Sequence, residues 1–150
     1  MRTGLALSVF AGLALAVPAH AADAPCAYTP KQVVEKFSQL FFIEKDWRTA
    51  YMDWVAEDYI QHNPVATDGR AAALAALGPI FEANPALKVE IKRIVGDDTH
   101  VAVHYHSIMQ PGTRGFAAVD LFRVEKCRIV EHWDVIQPMP ETSANDHPMF

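Results

Sequence analysis

The sequence predicts an α+β domain in which N-terminal helices pack on a curved antiparallel sheet. Two observations carry that reading. Apolar residues recur at helical spacing as far as Glu82, and from Leu87 onward they alternate with a period of two. Turn signals at Gly96-Asp97-Asp98 and Pro111-Gly112 then divide the second half into strands joined as a four-stranded meander.

The elements follow in order. Arg2, the 13-residue apolar run from Leu5 to Val17, and Ala19-His20-Ala21 read as a secretory signal over residues 1–21. The run is short of the roughly 20 residues a membrane span needs, and an uncleaved anchor is the alternative. Cleavage after Ala21 leaves 129 of the 150 residues, which suits one domain with one core. Residues 22–29 form an extended lead-in. Thr29 is a candidate N-cap before Pro30, and Val33, Val34, Phe37, Leu40 and Phe41 mark an amphipathic helix from Pro30 to about Lys45. Asp46 can cap a second helix with Trp47, Tyr51, Trp54 and Val55 on its apolar side. The stretch from Glu57 to Asp68 breaks the pattern, with turn signals at Asn63-Pro64 and Asp68-Gly69. A third helix runs from Arg70 to Glu82 and ends before Asn84-Pro85. Strands are expected over Leu87–Val95 and Thr99–Met109, with two more within Gly115–Gln137. The domain closes near Glu141, and residues 142–150 read as a loose tail.

The chain carries a net charge of −5, or −6 once Arg2 is removed with the signal. Such a balance disfavours nucleic acid and, after cleavage, a membrane surface. The expected partners are a small hydrophobic or carbonyl-bearing molecule and a second copy of the chain. An exported protein, periplasmic or secreted, with two cysteines invites one disulfide, Cys26 to Cys127; two unpaired thiols are the alternative.

Strand alternation puts Ala118, Asp120 and Phe122 on one face, and Val130, His132, Asp134 and Ile136 on one face of the next strand. An acid among apolar neighbours is either a costly buried group or a working one. Asp120 is the candidate acid/base; the plainer role is an ion pair with Arg123, Arg128 or a nearby His. His132 and His62 are its candidate helpers. His104 and His106 share a strand face with Ala102 and Ile108. With Asp134 they can form a polar patch that binds substrate, or they can line a dimer contact. Three His and a carboxylate are also a conceivable metal set, but no H-x-x-x-H or H-E-x-x-H helical pattern is present, and no metal is expected. Tyr59 can offer a hydroxyl to an oxyanion, and Trp47 can stack on a flat substrate; both serve equally well as core. Trp133 faces opposite His132, so it marks the outer sheet face as a partner surface, with Glu131 beside it.

The blocks Tyr59-Ile60-Gln61-His62-Asn63-Pro64, Asp68-Gly69-Arg70, Val119-Asp120-Leu121-Phe122-Arg123 and Ile129-Val130-Glu131-His132-Trp133-Asp134-Val135-Ile136-Gln137-Pro138 together resemble the SnoaL-like branch of the nuclear transport factor 2-like superfamily. More narrowly, they resemble bacterial proteins described as predicted SnoaL-like aldol-condensation enzymes. The resemblance spans about Pro30 to Glu141. It implies a cone-shaped barrel, a curved sheet wrapped around the first helix with a deep pocket, and a homodimer. It also implies acid/base chemistry without metal or organic cofactor, with the family's acid falling on Asp120. The chain departs from the family at the last turn, where Cys127-Arg128 replaces the usual Gly-Lys. Two classes of function follow: a cofactor-free lyase, isomerase or cyclase acting on a carbonyl compound, or a non-catalytic exported binding protein for a hydrophobic ligand. An obligate structural dimer is a weaker third.

Overall fold

The structure, a computed structural model, describes residues 26–150. The expected signal over residues 1–21 lies outside them. No helix among the described residues is long and apolar enough to cross a membrane.

Helix α1 (Pro30–Ser38) begins with a full capping box. Thr29 Oγ1 accepts from the Gln32 backbone N–H, and Gln32 Oε1 accepts from the Thr29 N–H. Val33, Val34 and Phe37 are buried along one stripe. The expected helix to Lys45 is completed by a π-helical segment, Gln39–Glu44. The wider turn lets two consecutive aromatics find inward partners. Phe41 stacks on Phe37 at 5.2 Å, and Phe42 packs on Tyr105 at 4.7 Å. Lys45, at φ 59°, ends the segment, and Asp46 caps α2 (Trp47–Trp54) by accepting from the Thr49 N–H. Helix α3 spans Arg70–Ala83.

The sheet has five strands, not the four of the expected meander. They are β1 (Val55–Gln61), β2 (Lys88–Gly96), β3 (His100–Ile108), β4 (Phe116–Glu125) and β5 (Arg128–Pro138), in the order β1-β5-β4-β3-β2. The last four are antiparallel as predicted, and β1 adds a parallel pairing at the β5 edge. Its alternation is hidden because Val55 and Tyr59 are the buried positions, with exposed Glu57 and Asp58 adjacent between them and a register shift along the pairing. The sheet is open, with β1 and β2 at its edges. Register shifts also occur in the β2–β3 and β4–β5 pairs, and such bulges bend a sheet. Helix α1 packs against β2, β3, β4 and β5 in the resulting hollow.

Cys26 and Cys127 form a disulfide, with Cα atoms 5.2 Å apart and a sequence separation of 101. It ties the lead-in to the β4–β5 turn, where Lys126 and Cys127 both have positive φ. The tail is irregular, but Phe150 packs against His104 and His106 on the outer face of β3.

Candidate active site

Between the inner face of the sheet and helices α1 and α3 lies a cavity of about 250 Å³. Phe37, Phe41, Phe122 and Leu77 form its apolar walls, while Asp120, His132, Asp134, Gln61, Asn63 and Tyr105 form its polar end. Two larger hollows, of about 390 and 550 Å³, are more open surface grooves away from this group.

Adjacent strands set the polar end. Asp120 on β4 is registered between Val103 of β3 and Asp134 of β5, and Phe122 faces His132. Asp120 and His132 are both buried. His132 Nε2 lies 3.7 Å from Asp120 Oδ1, and the Tyr105 hydroxyl lies 3.3 Å from the same oxygen. Burial pushes the Asp120 carboxyl above its ordinary value of 3.8; His132 and Tyr105 pull it back, and Asp134 pushes it further up. Burial likewise raises the Tyr105 hydroxyl, with the Asp120 charge adding to the effect.

The tautomer of His132 follows from a chain of hydrogen bonds. The Asn63 backbone N–H donates to Gln61 Oε1 at 2.9 Å, which identifies that atom as the oxygen. Gln61 Nε2 accordingly donates to the Tyr59 hydroxyl at 2.8 Å. His132 Nδ1 lies 2.9 Å from the same Oε1, so Nδ1 must be the donor. That leaves Nε2 facing Asp120. Asp134 Oδ2 accepts from Asn63 Nδ2 at 2.6 Å. One proton can therefore be carried by either Asp120 or His132 Nε2, 3.7 Å apart at the end of a mostly apolar cavity. Ligand atoms of Asp120, His132 and Asp134 also fall within 4.8 Å of one another, a donor set that can hold a divalent ion, which would have to displace that proton.

The remaining candidates fall elsewhere. His62 points away from Asp120: its Nε2 meets Glu131 Oε1 at 2.7 Å, and its ring stacks on Trp133 at 4.6 Å on the outer face. The cause is strand alternation continued past β1, with Gln61 and Asn63 inward and His62 outward. His104 and His106 are likewise outside, because Val101, Val103, Tyr105 and Ser107 are the buried residues of β3. His106 Nε2 instead meets the Arg114 carbonyl at 2.8 Å. Trp47 is buried away from the cavity, stacked on Phe81 at 6.0 Å and close to Gly78. Tyr59 is buried behind Gln61 and His132. Trp133 does face outward, but His62 covers one side, and Glu131 is paired within its own chain to His62 and Arg123. Gln61, Asn63 and Tyr105 are site residues that the sequence reading missed. Recognising β1 as a strand would have found the first two.

The model of the SnoaL-like domain family matches residues 34–132. No curated protein is detectably similar in sequence. Among solved structures, the chain is similar to AclR from Streptomyces galilaeus, provisionally assigned as a hydroxylase (19% identity, TM-score 0.58, covering 71% of this chain and 87% of that one). It is similar to a SnoaL-like protein from Jannaschia sp. CCS1, provisionally assigned as a polyketide cyclase (21%, 0.58, 73% and 89%). It is also similar to a SnoaL-like family member from Agrobacterium tumefaciens strain C58, provisionally assigned as an isomerase (12%, 0.59, 71% and 95%). At these identities the likeness concerns the fold, and three different provisional assignments on one fold leave the reaction to be argued from the site.

Proposed function

The chain belongs to the SnoaL-like domain family, and from that premise we propose that it is a small acid/base enzyme acting on a carbonyl compound in the Asp120 cavity. The observation that carries this reading is the buried Asp120–His132 pair at the polar end of an apolar cavity, with the His132 tautomer set by Gln61.

The pair holds one proton. With it on His132 Nε2, Asp120 is a carboxylate base and the imidazolium N–H is a donor for the substrate oxygen. Asp120 removes a proton from the carbon next to the carbonyl, and the developing enolate is stabilised by that N–H. The enolate carbon then bonds to a second carbonyl carbon. The new alkoxide takes the proton from the Asp120 carboxylic acid, which restores the carboxylate. In an isomerisation, the same proton returns to a different carbon. Low dielectric strengthens each of these interactions.

The test does not require the natural substrate. Small ketones incubated with the protein in deuterium oxide should exchange the hydrogens next to the carbonyl, read by proton NMR. Asp120→Asn should slow that exchange by about 10²–10⁴-fold. A chelator should leave it unchanged; loss on chelation moves the chemistry to a metal. No exchange by the parent protein with any ketone that binds refutes the enzyme reading in favour of a binding protein, which the apolar walls would also serve.

Export and a homodimer through the outer face beside Trp133 complete the proposal. The Cys26–Cys127 bridge is compatible with an oxidising compartment. Val119 and Val135 are exposed apolar side chains of β4 and β5 available to such an interface. Light scattering at micromolar concentration should return twice the chain mass, and a monomer mass would refute the dimer.

A further inference from the structure

The same cavity limits what can enter it by size, charge and shape. An apolar cavity of about 150 Å³ holds one benzene ring. At about 250 Å³, this one has room for a ring with short substituents or for two fused rings, but not for three or four.

Charge is the second limit. The polar end presents two carboxyl groups, Asp120 and Asp134, and none of the described residues lining the cavity is Lys or Arg. His132 is the one group there that can carry a positive charge, and it is already matched by Asp120, so an anionic ligand would lose its hydration with no net countercharge to replace it. The walls supply the third limit. Phe37 and Phe41 stack with 14° between their planes, and Phe122 meets Phe37 edge-on at 5.4 Å. Ring faces and edges of this kind match a flat partner. On the α3 side, Ala73 and Ala76 line the cavity, and their small side chains leave the space open.

We propose that the site takes an uncharged, nearly flat carbonyl compound of one substituted ring or two fused rings, its oxygen directed to Asp120 and His132, and that it excludes anions and larger ring systems. This rests on reading the Asp120 cavity as the reaction site.

The probes are 1-tetralone (two fused rings, neutral), 2-naphthoate (two fused rings, anionic) and anthrone (three fused rings, neutral), titrated by ligand-observed NMR. The tetralone should bind at least about tenfold more tightly than either of the others. Ala73→Phe should weaken tetralone by about tenfold or more, and Ala76→Phe, at an exposed position that folding tolerates, should also weaken it. Asp134→Asn should narrow the gap between tetralone and naphthoate. The proposal is overturned by tetralone failing to bind below about 1 mM, by naphthoate or anthrone binding as well as tetralone, or by indifference to both alanine substitutions. Binding and catalysis fail separately. Tetralone binding without deuterium exchange refutes the reaction and leaves the ligand class. Exchange on an anion or a three-ring ketone refutes the ligand class and leaves the reaction.

Discussion

The common face of Asp120, His132 and Asp134 was legible from alternation alone, because Ala118 and Phe122 flank Asp120, and Val130 and Ile136 bracket His132 and Asp134 two residues to either side. His104 and His106 were misplaced because alternation defines two faces without saying which is inner. The set Val101, Val103 and Tyr105 is the more apolar one, and it is the one that is buried. His62 has a different error behind it, since a residue in an unrecognised strand has no face to assign. Its Glu131 partner is its main contact, and its side chain is 41% exposed. His62→Ala should therefore leave deuterium exchange within about twofold of the parent and cost no more than about 1 kcal/mol of stability. A large loss of activity with unchanged folding would restore His62 to the site. Asp120 has the opposite signature. Its folded carboxyl is raised above 3.8, so the folded state holds that proton to higher pH than the unfolded chain does. Its favourable contribution is present below the ordinary value and lost as pH rises through the raised one. Asp120→Asn, which cannot ionise, should melt higher than the parent at pH 7 and lose that advantage by pH 3. A lower melting temperature at pH 7 would contradict the burial argument.

Helix positions were legible because capping chemistry is local: Thr29 with Gln32, and Asp46 with Thr49, mark two helix starts in the sequence and in space. Strand β1 was not legible, because its pairing with β5 spans most of the domain and its own pattern is irregular. Two turns carry testable weight. At the β2–β3 turn, the Asp97 carboxylate accepts from the backbone N–H groups of His100 and Thr99 and from the Thr99 hydroxyl, which hold it down at about 2. The stability it supplies is present above the ordinary 3.8 and is lost as pH falls through about 2. NMR titration of its side-chain carbon should show a midpoint near 2; a midpoint at 3.8 would mean the clamp is absent in solution. At the β4–β5 turn, Cys127 sits at φ 62°, a conformation that costs a non-glycine residue about 1–2 kcal/mol. The disulfide holds it there. Closing a loop of 101 residues stabilises the domain by about 4–5 kcal/mol in the chain-entropy account, so Cys127→Ser should lower the melting temperature markedly. An unchanged melting temperature, or two free thiols in the unfolded oxidised protein, would refute the bridge.

At the scale of the whole molecule, the sequence led to the α+β class, the helices-then-sheet order and the family, because the change of hydrophobic period near Leu87 and the blocks around His62 and His132 are long-range in their consistency. It could not lead to the reaction, because a cavity is assembled from α1, α3 and four strands at once, and its volume and charge are properties of none of them alone. The fold's contribution to chemistry is to remove water from one carboxyl group while leaving a ligand-sized space in front of it. The central claim is accordingly a statement about Asp120 in the intact protein. It is tested most directly by following the Asp120 side-chain carbon by NMR from pH 2 to pH 9, assigned by comparison with Asp120→Asn. The account predicts a midpoint clearly above 3.8. A midpoint at or below 3.8 would show that burial does not govern this carboxyl group, and would contradict the desolvated acid/base role built on it.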